Sequence, residues 1–172
     1  RERAGDLDVR TVVGDARAFW LGDEYALCIV PMQTIQLLGG PDGRRSFLEC
    51  ARSHLEPGGV MAIALAEELE CFEIVEGAPG PLPDVTELDG VVYSSRPVAV
   101  RDDGDGFTLE RRREMVSSDG RMSVGANRIH LDDLPAETLE DEARAAGLRP
   151  VDRVSIAATE DYVGTTVVIL RV

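Results

Sequence analysis

Residues 25–38, YALCIVPMQTIQLL, indicate the class of fold most clearly. Its residues 26–30 are all apolar, which is typical of a strand buried on both faces in a parallel sheet covered by helices. Pro31 ends this strand because proline has no N–H to donate to a neighbouring strand. Polar side chains return directly after it, and in open α/β sheets ligands bind at the carboxyl ends of the strands. We therefore expect a binding site at residues 31–36.

Composition narrows the class of protein. The 172 residues suffice for one domain with a sizeable core, or for one domain with an insertion. The net charge of −14 argues against a nucleic-acid partner and against docking on anionic membranes. Its three scattered cysteines and two isolated histidines predict neither a zinc site nor a disulfide framework, and free thiols fit the cytoplasm.

The pattern around the opening stretch is that of a parallel α/β unit. Residues 8–13 alternate between polar and apolar side chains, which predicts a strand, and Gly-Asp-Ala-Arg follows at 14–17. Apolar positions at helical spacing predict a helix over 44–55, with His54 on its surface. A buried strand follows at 60–66. Strand, helix and strand in this order predict a right-handed parallel crossover.

An antiparallel insertion follows the parallel unit. Residues 67–89 are rich in Gly and Pro and predict a loop. Three alternating segments then predict a small sheet with hairpin turns, with Arg111 and Arg113 on one face. The predicted elements from here to the end are strands at 91–100, 107–117 and 122–131, a helix at 135–146 capped by Asp132 or Asp133, and strands at 151–159 and 165–172.

This order resembles the later half of a class I S-adenosylmethionine-dependent methyltransferase. The resemblance rests on Gly-Asp-Ala-Arg after a strand, Leu-Glu-Pro-Gly-Gly at 55–59 before a buried strand, and Ala-Ala-Gly-Leu at 145–148 before a strand pair. It implies an α/β fold: a three-layer, Rossmann-like methyltransferase sheet without its first two strands, with an antiparallel β insertion. The partial core would span residues 1–75 and 131–172. Residues 76–130 would form a loop and the insertion, acting as a substrate lid.

The resemblance also implies a chemistry. It implies S-adenosylmethionine as the cofactor and a small molecule as the methyl acceptor. In the family, the acidic residue at Asp15 accepts a hydrogen bond from the adenine amino group. The cofactor-binding residues implied are Asp15, Ala16, Arg17, Val30, Pro31 and Met32; the substrate candidates are Gln33, Gln36, Arg111 and Arg113; the catalytic candidates are His130, Glu67 and Tyr162.

The family's glycine-rich loop has no counterpart here, because no GxGxxG or GxGxG occurs in the sequence. We expect the chain to be a fragment of the full enzyme, whose pocket is completed by an N-terminal segment of the same protein, a partner chain or a homodimer. One alternative is a non-catalytic methyltransferase-like module that binds a partner through its open sheet edge. A nicotinamide-dependent dehydrogenase is disfavoured by the Leu-x-Pro-Gly-Gly turn and the terminal strand pair.

Overall fold

A computed structural model describes residues 7–66, 69–75, 80–159 and 163–172. Two helices, nine strands and a short 3₁₀ turn make up the described chain. In chain order they are β1 (Tyr25–Val30), the 3₁₀ turn (Thr34–Leu37), α1 (Gly40–Arg52), β2 (Leu55–Leu65), β3 (Phe72–Glu73), β4 (Asp84–Leu88), β5 (Val91–Asp102), β6 (Gly106–Val116), β7 (Met122–Asp132), α2 (Ala136–Ala145), β8 (Arg149–Ile156) and β9 (Thr165–Arg171). Neither described helix has the length and apolarity needed to cross a membrane.

Four strands form the first sheet, in the order β1-β2-β9-β8. β1 and β2 are parallel and are connected through α1, which confirms the predicted crossover. β9 is antiparallel to both β2 and β8, as the predicted terminal pair requires. The predicted turn at 55–59 lies inside β2 instead, where the pairing shifts between Leu55 opposite Tyr25 and Val60 opposite Leu27.

α1 begins four residues before the predicted helix start. Gly39, at φ 80°, precedes its first residue, and proline near the first turn is preset for helical φ. Its buried residues Phe47, Leu48 and Ala51 face the core with the buried side chains of α2. The two helices cover one face of the first sheet, where β2 and β9 contribute fully buried side chains such as Met61 and Leu170.

The opposite face of this sheet is not covered by any described element. Leu27 and Ile29 of β1 are 53% and 65% exposed, and Val154 and Ile156 of β8 are 46% and 54% exposed. The prediction that β1 is buried on both faces is therefore wrong for the described chain. One edge of β1 pairs with β2, and its other edge pairs with no described strand.

The prediction of a strand at residues 8–13 is also wrong, because the structure has no helix or strand there. An alternating segment becomes a strand only where a neighbour accepts and donates its backbone hydrogen bonds. Residues 8–13 pair with no described strand, so their alternating polar and apolar side chains do not lead to a strand.

The antiparallel insertion is present and larger than predicted. β5, β6 and β7 pair along their length, with Arg111 and Arg113 on one face. β3 and β4 also pair with β5, so the prediction of a loop throughout 67–89 is wrong. β4 and β5 are joined by Asp89 and Gly90, both at positive φ, the usual pattern of a tight hairpin turn.

A buried arginine connects the two helices to the end of β7 in the second sheet. Arg44 of α1 is 3% exposed, and its guanidinium donates to both carboxylate oxygens of Glu142 in α2, at 2.8 and 2.7 Å, and also to Asp132 at the end of β7. Asp132 in turn accepts the N–H of Gly40, at 2.9 Å. Asp132 therefore binds the start of α1, whereas Pro135 occupies the N-cap position of α2.

We expect Arg44→Ala to lower the free energy of unfolding by about 3 kcal/mol, because it leaves two largely buried carboxylates without their cation. Urea unfolding followed by circular dichroism measures this. Arg45→Ala is the matched control: Arg45 is next in sequence, exposed, and paired with Asp42 at 2.9 Å. It should cost less than about 1 kcal/mol. Equal losses in the two variants would contradict a structural role for the buried network.

Candidate ligand-binding site

A tight turn at residues 15–18 carries the first group of predicted site residues. The N–H of Ala18 donates to the Asp15 carbonyl at 3.0 Å, and the N–H of Arg17 donates to Asp15 Oδ1 at 2.9 Å. The Arg17 guanidinium also binds this carboxylate, with Nη2 2.7 Å from Oδ2. The guanidinium, and next the Arg17 N–H, lower the pKa of Asp15 from 3.8 to about 2. Asp15 is thus a half-exposed hydrogen-bond acceptor that is ionised at neutral pH.

This turn lines an open cavity of about 480 Å³ together with the end of the 3₁₀ turn. The lining residues are Gly14, Asp15, Ala16, Arg17, Leu37, Leu38 and Gly39. Gly43, in the first turn of α1, allows the two walls to pack closely. A Cβ at Gly43 would lie 1.8 Å from the Leu38 carbonyl oxygen and 3.4 Å from Cδ of Arg17. The cavity therefore depends on glycine at this position.

The carboxyl end of β1 is strained. Met32 and Gln33 follow Pro31 and both have φ 55°, a conformation that residues other than glycine seldom adopt. Thr34 stabilises the bend by donating its hydroxyl to the Pro31 carbonyl at 2.6 Å. Backbone strain of this kind costs about 1–3 kcal/mol per residue and clusters at functional sites. This supports the site predicted at residues 31–36 by an observation that the sequence does not contain.

The predicted residues at this end of β1 differ in accessibility. Val30 is 4% exposed and packs in the core, so it presents only its backbone to the edge of the sheet. The Met32 side chain is 79% exposed, and Pro31 is exposed as well. Gln33 is half-buried. Pro31, Met32 and Gln33 are thus the members of this group that are accessible to a ligand.

Gln36 is a structural link. It is 1% exposed, and its amide nitrogen donates to the carbonyls of Ala66 and Asp132, each at 3.0 Å. Its amide oxygen accepts the N–H of Ala66, also at 3.0 Å. The side chain joins the chain after β1 to the chain after β2 and to the end of β7. These bonds use both amide hydrogens within the fold, so a substrate finds no free donor at Gln36.

His130 lies near the end of β7, two residues before Asp132. Its ring nitrogens are 3.9–4.0 Å from carboxylate oxygens of Asp103, Asp105 and Asp132, and its side chain is 42% exposed. β7 packs against the 3₁₀ turn that follows β1, which brings His130 towards the side of the molecule where the carboxyl end of β1 lies. The described residues contain no cluster of His, Cys, Asp and Glu side chains arranged to hold a metal ion.

The structure does not bring the remaining candidates into the Asp15 cavity. Arg113 lines a separate cavity of about 430 Å³ on the second sheet, which shares no residue with the first. Arg111 donates to Asp84 at 2.7 Å and to the Ser95 hydroxyl at 2.9 Å. Glu67 and Tyr162 lie outside the described residues.

The sequence prediction missed His54, which is 4% exposed and not on the surface. Its ring stacks on Phe19 with a centroid distance of 4.8 Å. One signal was available: His54 follows the apolar Phe47 by seven residues and so lies on the same face of the helix. That spacing favours a buried ring over a solvated one.

We expect Arg17→Ala to raise the pKa of Asp15 from about 2 towards 3.8. The rise should be incomplete, because the N–H of residue 17 still donates to the carboxylate. A carboxyl group with a lowered pKa stabilises the fold above its ordinary pKa, and here that contribution is lost as the pH falls from about 4 to about 2. Titration of the Asp15 carboxyl by ¹³C NMR measures the shift. An unchanged Asp15 pKa in Arg17→Ala, with Arg10→Ala as the control, would contradict this assignment.

No protein-family model and no curated protein matches this chain. Solved structures do match it. A S-adenosylmethionine-dependent methyltransferase from Clostridium acetobutylicum gives a TM-score of 0.65 at 13% identity, over 99% of this chain and 67% of its own. The sugar N-methyltransferase KedS8 from Streptoalloteichus gives 0.61 at 21% identity, over 91% of this chain and 60% of its own.

The structure of CalS10, an amino pentose methyltransferase from Micromonospora echinaspora with S-adenosylmethionine bound, gives a TM-score of 0.57 at 20% identity. The match covers 92% of this chain and 63% of CalS10. The chain thus spans about three fifths to two thirds of the length of these three proteins. The fold class predicted from the sequence is confirmed: the chain has the α/β fold of the class I, Rossmann-like S-adenosylmethionine-dependent methyltransferases.

Proposed function

We propose that this chain is part of an enzyme that transfers a methyl group from S-adenosylmethionine to a small molecule. The observation that carries the proposal is the ionised Asp15 in an open cavity, in a chain with a methyltransferase fold. The strained segment at Met32 and Gln33 adds a second accessible surface at the carboxyl end of β1. The bound S-adenosylmethionine of CalS10 supports the choice of cofactor.

The chemistry of the cavity fits the adenine end of this cofactor. The adenine amino group is a donor, and Asp15 is an exposed acceptor whose lowered pKa, about 2, keeps the carboxylate charged at neutral pH. In this proposal the backbone of Ala16 contacts the adenine ring, and Pro31 and Met32 contact the methionine part. Bound there, S-adenosylmethionine supplies an electrophilic methyl group. The chain's own residues orient it, and proximity and orientation account for much of the rate in such displacements.

A methyl acceptor needs a free lone pair, so an acceptor that carries a proton needs a base. KedS8 is a sugar N-methyltransferase and CalS10 acts on an amino pentose, which suggests an amine of a small, sugar-like molecule here. We propose His130 as the group that accepts the proton from such an amine. Three carboxylates lie 3.9–4.0 Å from its ring nitrogens and stabilise the positive charge that the imidazole then carries.

We further propose that additional polypeptide completes the pocket. Asp15 is the one carboxylate among the residues lining the cavity, so the described chain offers no second carboxylate there to bind the ribose hydroxyls. The uncovered sheet face with Leu27 and Ile29 is where such polypeptide would pack. The unpaired edge of β1 supports the alternative function, a non-catalytic module that binds a partner protein through this strand. The segment in question is an N-terminal part of the same protein, a partner chain or a second copy.

We expect the complete protein to bind S-adenosylmethionine, and Asp15→Ala to weaken this binding roughly 10- to 100-fold, the usual effect of losing a hydrogen bond to a charged group. Isothermal titration calorimetry measures both. Asp23→Ala is the matched control, an exposed aspartate nearby that pairs with Arg10 at 3.2 Å. No binding by the wild type at high micromolar cofactor concentrations would remove the proposed function, and unchanged binding by Asp15→Ala would remove the proposed site.

The bare sheet face is tested by Ile29→Lys, with Val85→Lys as the control because Val85 is a similarly exposed apolar residue of the second sheet. In the isolated chain, both variants should leave the unfolding midpoint within the error of the wild type. In the complete protein, Ile29→Lys should lower the midpoint and the affinity for S-adenosylmethionine, because a charge is then buried. Identical behaviour of the two variants in the complete protein would show that nothing covers this face.

A further inference from the structure

The ring of His54 is held in one orientation by hydrogen bonds at both nitrogens. Nδ1 is 2.8 Å from the carbonyl oxygen of Cys50, which only accepts, so Nδ1 carries the proton and donates. Nε2 then accepts the N–H of Leu21, at 3.1 Å. The Ser53 hydroxyl lies 3.3 Å from Nδ1 as well. This buried imidazole is therefore neutral, with its proton on Nδ1.

Cys50 binds the same segment one helical turn earlier. Its Sγ accepts the N–H of Phe19 at 3.3 Å and donates to the Phe19 carbonyl at 3.2 Å. The rings of Phe19 and Trp20 lie against the imidazole, with centroid distances of 4.8 and 5.2 Å. Cys50 and His54 thus clamp the backbone of residues 19–21 onto the face of α1.

This clamp, formed by Cys50 and His54, lies close to the ligand-binding turn and holds a segment that has no regular secondary structure. Residues 15–21 belong to no helix or strand, so no sheet or helix ladder fixes their path. The turn at Asp15 is closed by the Ala18 N–H, and the next residue, Phe19, is the first one that the clamp binds. Cys50 and His54 therefore help to set the orientation of Asp15 and Arg17 relative to α1, together with Ala16, which packs against the hydrophobic core.

We infer that His54 is a positioning residue for the cofactor-binding turn, a role that rests on the proposed function. His54 is not among the residues that line the cavity, and its ring binds the Leu21 N–H and packs against Phe19 and Trp20, so it acts through residues 19–21. Loss of its acceptor frees the Leu21 N–H, and Asp15 then samples several positions instead of one. The cofactor consequently binds more weakly, while the rate of the chemical step with bound cofactor is unaffected.

The test uses His54→Phe, which keeps an aromatic ring on Phe19 but removes both hydrogen bonds, and His54→Gln, whose amide offers one donor and one acceptor. Hydrogen exchange followed by NMR should show the Leu21 amide exchanging at least tenfold faster in His54→Phe, with the amides of β2 unchanged. In the complete enzyme, KM for S-adenosylmethionine should rise about tenfold with kcat within twofold of wild type. His54→Gln should recover a large part of both losses.

Leu139→Val is the control for stability alone, since Leu139 is a fully buried residue of α2 outside the clamp. Should His54→Phe fail to fold, Cys50→Ala tests the inference from the second anchor and should raise the same KM severalfold. A fast Leu21 amide with an unchanged KM would overturn the inference, and so would a KM that rises as much in Leu139→Val. A wild-type protein that binds no S-adenosylmethionine would overturn the proposed function first, and the inference with it.

Discussion

The fold depends on keeping one buried guanidinium neutralised. An uncompensated charge in the interior costs several kcal/mol, so Arg44 requires Glu142 and Asp132 at their observed positions. These three residues come from α1, α2 and the end of β7, and their pairing therefore sets how the helix pair meets the second sheet. Gln36 extends the same arrangement, because its amide bonds tie the ends of β1 and β2 to Asp132.

This network also explains where the candidate site lies. It joins the chain after β1, the first turn of α1 and the end of β7, which are the segments that border the accessible residues Met32 and Gln33 and the imidazole of His130. A rigid centre of buried polar contacts next to a strained backbone segment is the arrangement expected where side chains must be held in position before a ligand arrives. Hydrogen bonds within the fold thus hold the bent, exposed end of β1 in place, and no ligand is needed to form them.

Local patterns predicted most of the fold, and non-local contacts account for what was missed. The parallel crossover, the three long antiparallel strands and the terminal strand pair follow from apolar periodicity and turn residues, which are encoded within a few positions. The burial of β1 on both faces and a strand at residues 8–13 needed neighbours that the described chain does not provide. The hairpin at Asp89 carried a readable Asp-Gly signal, and the many Gly and Pro residues before it obscured that signal.

In the candidate site, too, local contacts can be read from the sequence and non-local contacts cannot. Asp15 and Arg17 are two residues apart, so their pairing is a local property of the Gly-Asp-Ala-Arg motif, from which the sequence analysis named both as candidates. Gln36 was predicted to face a substrate, but its partner Asp132 lies 96 positions away, a contact that no pattern in the chain reveals. His54 was missed for the same reason, since its partner Leu21 lies 33 positions away in a segment without regular structure. In the proposed site, a local motif presents Asp15 and Arg17, and contacts with side chains distant in the sequence hold the segment that follows them.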